Sequence, residues 1–171
     1  MASNHKWTKE VDVIIDFNEY HFKGQVMLKE LAMISLQPDS NGNFIDKHYI
    51  FKPPCPWKEV PLEDQNNYLR LLEDDGIPWQ LGYTNPELQK SIIAKCFLKA
   101  KCIYVIDLEV KELLTTIMGK INIPFGYFNN GSDDHFEYVY KTKCVHHQNR
   151  DKNNCAYDNV IKMKHILLST T

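Results

Sequence analysis

Val11-Asp12-Val13-Ile14-Ile15-Asp16-Phe17, followed by Gln25-Val26-Met27-Leu28-Lys29-Glu30-Leu31-Ala32-Met33-Ile34-Ser35-Leu36, is the stretch that decides the fold. The first segment is rich in β-branched residues and ends beside an acid, which predicts a strand over 11–17. Asn18 to Gly24 reads as a turn. Gln25 to Leu36 is apolar again at Val26, Leu28, Leu31, Met33, Ile34 and Leu36, consistent with the second strand of a hairpin. A helix is the alternative there. The turn-forming run Pro38-Asp39-Ser40-Asn41-Gly42-Asn43 favours hairpin repetition instead, and Phe44 to Phe51 supplies a third strand. Three strands joined by short turns make an antiparallel meander.

The character changes at Pro53-Pro54-Cys55-Pro56-Trp57, where prolines stop strand pairing. Lys58 to Asp75 carries six acids against two bases. With Leu62, Leu69, Leu71 and Leu72 it predicts a loop and a short helix, ended by Gly76-Ile77-Pro78-Trp79. Asn85 as N-cap and Pro86 behind it open a helix toward Leu98, with Leu88, Ile92, Ile93 and Cys96 on one face. Lys101 to Asp107 contains Ile103-Tyr104-Val105-Ile106, a buried-strand run. Glu109 to Met118 is a helix with Val110, Leu113, Leu114 and Ile117 to one side, capped by Gly119. Asn129 to Asp134 is a loop, and Ala156 to Leu168 a last helix with Val160, Met163, Ile166 and Leu167 inward. Three antiparallel strands followed by strands alternating with helices describe a mixed α/β sheet flanked by helices. That order resembles the ribonuclease H-like fold, an antiparallel three-strand meander extended by parallel strands.

The 171 residues, 43% hydrophobic and 25% charged, suit one globular domain over 1–171, with residues 1–10 expected to be disordered. A net charge of -2 excludes a grossly basic nucleic-acid coat, though not a local basic patch. No apolar run approaches the ~20 residues of a membrane span. The polar start, Met1 to Lys6, does not read as a signal peptide. Five cysteines, an odd and sparse set, point to reduced thiols and an intracellular place, cytoplasmic or nuclear.

The densest chemical signal is Cys144-Val145-His146-His147, followed by Cys155 at the start of the final helix. Two thiolates and an imidazole suit zinc, which accepts soft sulfur and borderline nitrogen in a tetrahedron. Either His146 or His147 serves on spacing alone. The plainer reading makes the cysteines small core residues and the histidine a hydrogen-bonded one. Glu30 stands out because it interrupts an apolar run, and a carboxylate there needs a partner, with a metal as one candidate. Asp16 ends the first strand and Asp107 the fourth, positions from which acids hold Mg²⁺ or Mn²⁺ in phosphodiester hydrolysis. His146 and Asp151 add a His-x-x-x-x-Asp pattern.

Asp16-Phe17 followed by Lys29-Glu30-Leu31-Ala32 resembles the opening hairpin of the DEDD-type 3′–5′ exonucleases. Their first strand usually reads Asp-x-Glu; here it reads Asp16-Phe17-Asn18. Their last motif is a His followed by Asp-Ala at the final helix; here His147 is followed by Cys155-Ala156. With these departures, Glu30, Cys144, His147 and Cys155 are similar to the Glu-Cys-His-Cys zinc set of the Maelstrom domain, an exonuclease-like relative associated with piRNA pathways and transposon silencing. The resemblance implies one structural zinc on those four residues. It also implies a non-catalytic domain whose partner is single-stranded RNA or a protein of the silencing pathway, with no membrane.

Lys141, Lys143, Arg150, Lys152, Lys162 and Lys164, interleaved with Phe136, Tyr138, Tyr140 and Tyr157, give modest support for RNA contact through charge and stacking. An alternating edge strand beside a solvated lysine face explains the same residues. The acidic stretch from Glu59 to Asp75 would repel phosphate and suits protein docking. The competing expectation is an active Mg²⁺- or Mn²⁺-dependent exonuclease using Asp16, Glu30, Asp107, Asp151 and His146.

Overall fold

The hairpin that opens the chain is longer than its apolar runs. In the computed structural model, which describes residues 9–128, 146–147 and 154–169, β1 spans Val11–Phe22 and β2 spans Gln25–Ser35. Most of Asn18 to Gly24, expected as a turn, is therefore strand. Only Lys23 and Gly24 turn, with φ of 49° and 77°, the positive pair that a two-residue hairpin with right-handed twist requires. The polar break at Asn18 marks a bulge: Asn18 pairs with Glu30 and Glu19 with Leu28, so Lys29 is the extra residue. Glu10, expected among the disordered first residues, already donates its N–H to the Lys99 carbonyl at 2.9 Å.

The later elements are β3 (Asp46–Ile50), α1 (Leu62–Asp75), α2 (Gln89–Phe97), β4 (Ala100–Val105), α3 (Leu108–Met118), β5 (Phe125–Tyr127) and α4 (Ala156–Ser169). Five strands form one mixed sheet in the order β3-β2-β1-β4-β5, antiparallel from β3 to β1 and parallel from β1 to β5. This is the expected α/β class, in the ribonuclease H-like arrangement. β5 carries no signal in the sequence reading, and α1 is longer than the short helix expected. Leu88 falls in a 3-10 turn ahead of α2 and is exposed, so it leaves the apolar face assigned to it. Asp107 is the N-cap of α3 rather than a strand end, its carboxylate accepting the Val110 N–H at 3.1 Å. The segment 129–145, with its expected loop and the residues Phe136, Tyr138, Tyr140, Lys141, Lys143 and Cys144, lies outside the described residues, as do Arg150, Asp151 and Lys152.

Both faces of the central strands are covered. On one, Val13, Ile15, Leu31, Met33 and Ile103 pack against Ile93 and Phe97 of α2 and Leu114 and Ile117 of α3. On the other, Ile14, Ala32 and Ile34 meet Ala156, Val160 and Met163 of α4. Burial on both sides explains why β2 reads as a nearly continuous apolar run rather than an alternating one. A third cluster lies where α1 crosses the hairpin end, with Tyr20, Tyr68 and Trp79 in edge-to-face contact at centroid separations of 5.0–5.5 Å. The free side of β3 is closed at one end by residues 82–84, whose Tyr83 N–H donates to the Ile50 carbonyl at 2.8 Å. Gly82 is needed there, since a Cβ would stand 2.4 Å from the Phe51 carbonyl oxygen. Among the described residues, no helix is long and apolar enough to cross a membrane.

Candidate metal centre

Strand register puts Asp16 and Asn18 of β1, Glu30 and Ala32 of β2 and His48 of β3 on the sheet face that α4 covers. Glu30 sits there fully buried, next to the bulge. Its Oε1 accepts the Asn18 side-chain amide and the Ala156 N–H, each at 2.8 Å. Its Oε2 lies 2.7 Å from His48 Nε2, 3.2 Å from His147 Nε2 and 3.7 Å from Cys155 Sγ. Burial alone would push this carboxyl group up. The hydrogen bonds from His147 and His48, the charge of His147 and the Ala156 N–H outweigh burial and hold it at about 2. An ionised carboxylate only accepts, so the short contact places the proton on His48 Nε2.

Cys155 is the residue ahead of α4, and its sulfur takes the capping role: the Asp158 N–H donates to Sγ at 3.5 Å. Two N–H groups of the first helical turn thus point at Glu30 and Cys155. A helix N-terminus favours negative ligands, here a carboxylate and a thiolate. His147, also buried, completes a group whose three donor atoms lie within 4.8 Å of one another. In a tetrahedral zinc site, with bonds of about 2.0 Å to O and N and about 2.3 Å to S, neighbouring donors stand roughly 3.3 Å (O–N) and 3.5 Å (O–S) apart. The observed 3.2 and 3.7 Å are close to those edges. One oxygen, one nitrogen and one sulfur donor, buried and convergent, fit a divalent metal ion.

Of the expected ligands, Glu30, His147 and Cys155 come together, while Cys144 lies outside the described residues. His146 points elsewhere: its ring sits between those of His48 and Tyr83, at centroid separations of 5.8 and 5.6 Å. Asp16 is buried beside the centre and accepts the Asn159 side-chain amide at 2.9 Å. Burial is the main cause that pushes its carboxyl up to about 7, against the lowering effect of Asn159, with the charges of Glu30 and Glu19 adding to the rise. Asn159 also donates to Asn154, and Asn154 to Asn18, so a chain of amides joins Asp16 to Glu30. Asp16 and Asp107 line a cleft of about 340 Å³ with Glu19, Asp74 and Glu109. Of the aromatic and basic residues expected to meet RNA, Tyr157 stacks on His48 and Lys164 lies over the Phe44 ring.

Two residues of the site escape sequence reasoning. Asn18 registers in the sequence as an absent acid, whereas in the structure it is a donor to Glu30. His48 carries no local signal, and only the β2–β3 register, which sets it opposite Ala32, brings it to Glu30. Compared with known proteins, the chain matches no family model and no curated protein.

Proposed function

We propose that this chain is a non-catalytic, exonuclease-like domain that holds one structural zinc and serves as a binding module in a piRNA or transposon-silencing type of pathway. Its partner in that reading is single-stranded RNA or a protein of the pathway. The observation that carries the proposal is the buried convergence of Glu30, His147 and Cys155. Cys144, three residues before His147, supplies the fourth ligand and closes the tetrahedron. A closed site leaves no position for water or substrate, which makes the ion structural. The resemblance to the Maelstrom domain supports the same donor set and is the ground for the pathway and partner.

The competing reading is a Mg²⁺- or Mn²⁺-dependent exonuclease using Asp16, Glu30, Asp107, His146 and Asp151. The cleft shared by Asp16 and Asp107 favours it. Weighing against it are the donors on both Glu30 oxygens and the amide at position 18, which leave the centre poor in carboxylates for hard cations.

Mass spectrometry of the protein purified without added metal, alongside Cys155→Ser, decides between them. The proposal expects about one zinc per chain, lost in the variant, and no degradation of single-stranded RNA with Mg²⁺ or Mn²⁺. Well-folded protein without zinc, degrading RNA in a manner abolished by Asp16→Asn, would establish the nuclease. If zinc is present, titration of labelled single-stranded RNA separates an RNA partner from a protein one.

A further inference from the structure

We infer that His48 is a positioning residue of the metal centre, holding Glu30 so that its Oε2 is aimed at the ion. This rests on the metal reading of Glu30, His147 and Cys155. A carboxylate offers four acceptor directions, two on each oxygen. Both on Oε1 are filled, by Asn18 and by the Ala156 N–H at 2.8 Å. One on Oε2 is filled by His48 at 2.7 Å. The other is shared by His147 Nε2 at 3.2 Å and Cys155 Sγ at 3.7 Å, and an ion between these groups would take over that direction.

The His48 ring is itself held. It stacks on Tyr157 with centroids 4.9 Å apart and planes inclined by 20°, and it meets the edge of His146. The Tyr157 hydroxyl is tied to Asp46, two residues before His48 on the same strand, at 3.0 Å. The stack fixes the plane of the imidazole, and the contact with Glu30 selects which of its two flipped orientations within that plane is taken. Its side chain is 21% exposed, whereas Glu30 and His147 are at 0% and 2%. Of these three, His48 is thus the one that reaches the surface, and Tyr157 links its orientation to α4. Hydrogen-bonding partners that orient metal ligands typically carry a 10–100-fold share of metal affinity.

The test is zinc affinity by chelator competition in His48→Ala and His48→Gln, together with the visible spectrum of the cobalt-substituted proteins. His48→Ala should lose roughly 10–100-fold in affinity and alter the cobalt d–d bands, while the sulfur-to-cobalt band from Cys155 persists. His48→Gln, which keeps an N–H donor, should recover most of both. Should His48→Ala fail to fold, Tyr157→Leu removes the stack and leaves every donor in place; an intermediate loss is expected. Wild-type affinity and spectrum in His48→Ala, or in Tyr157→Leu where that variant stands in, would overturn the inference. So would equal loss in the Ala and Gln variants to the level of His147→Ala, which would make His48 a direct ligand. A folded wild-type protein that binds no zinc would instead defeat the underlying metal reading, and this inference with it.

Discussion

Asn18 shows how much one amide decides. Its side-chain N–H₂ donates both to Glu30, at 2.8 Å, and to the Asn154 carbonyl, at 2.6 Å, so it joins β1, β2 and the entry to α4. An acid in its place would face Glu30 with like charge and no donor, and one of the two would have to take up a proton. Asn18→Asp is expected to lower metal affinity at least about tenfold, read by chelator competition. An unchanged affinity would reduce Asn18 to a spacer. Asp16 gives a pH dependence of definite sign. Its folded value of about 7 lies above the ordinary 3.8, so the unfolded chain ionises first as pH rises. The contribution of Asp16 to stability is then full below about pH 4 and is lost between there and about pH 7. Asp16→Asn cannot ionise and still accepts from Asn159. It should be more stable than wild type at pH 8 by up to a few kcal/mol, with the gap closing toward pH 4 in urea titrations. A loss of stability at pH 8 would mean that ionised Asp16 has a cation to hold, as the nuclease reading requires.

At the scale of elements, two neighbouring residues at the bulge of β2 are both buried and charged, with different partners. Glu30 joins His147 and Cys155, and Lys29 is buried with its ammonium on the carbonyls of Phe51 at 3.1 Å, Trp79 at 2.8 Å and Leu81. Lys29 thereby stitches the sheet to the loop before Gly82. Lys29→Met would leave those carbonyls without their donor and should cost about 3 kcal/mol, seen as a lower denaturant midpoint with an unchanged slope. The apolar runs of β1 and β2 were legible because a doubly buried strand needs little but apolar residues. The end of β1 was not, since Asn18 favours turns and what overrides it is pairing across the hairpin. β5 was illegible for another reason: Phe125-Gly126-Tyr127 is too short for periodicity and exists through its parallel pairing with β4. In the site, Glu30 announced itself as an acid in an apolar run, and His147 and Cys155 lie close in sequence. His48 and Asn18 depend on register, which no local pattern encodes.

For the whole molecule, the small core around Ile14, Ala32 and Val160 holds α4 to the sheet, and in the proposed reading a zinc on Glu30, His147 and Cys155 adds a second attachment. Structural zinc contributes on the order of 10 kcal/mol in small domains, comparable to the entire stability of many proteins. Chelation is therefore expected to lower the melting midpoint by about 10 °C or more and to release amide protection in α4, both restored by zinc. An unaltered midpoint would mean that apolar packing alone seats the helix. Glu30 and Cys155 are also 125 positions apart in the chain. Joining them closes a very long loop, whose entropy must be met before the contact returns anything. Such a contact is expected to form after the transition state for folding, so zinc should slow unfolding by several orders of magnitude and leave the refolding rate nearly unchanged in stopped-flow measurements. In the proposed zinc reading the ion works as a latch set last, and its presence certifies that two distant parts of the chain have found each other.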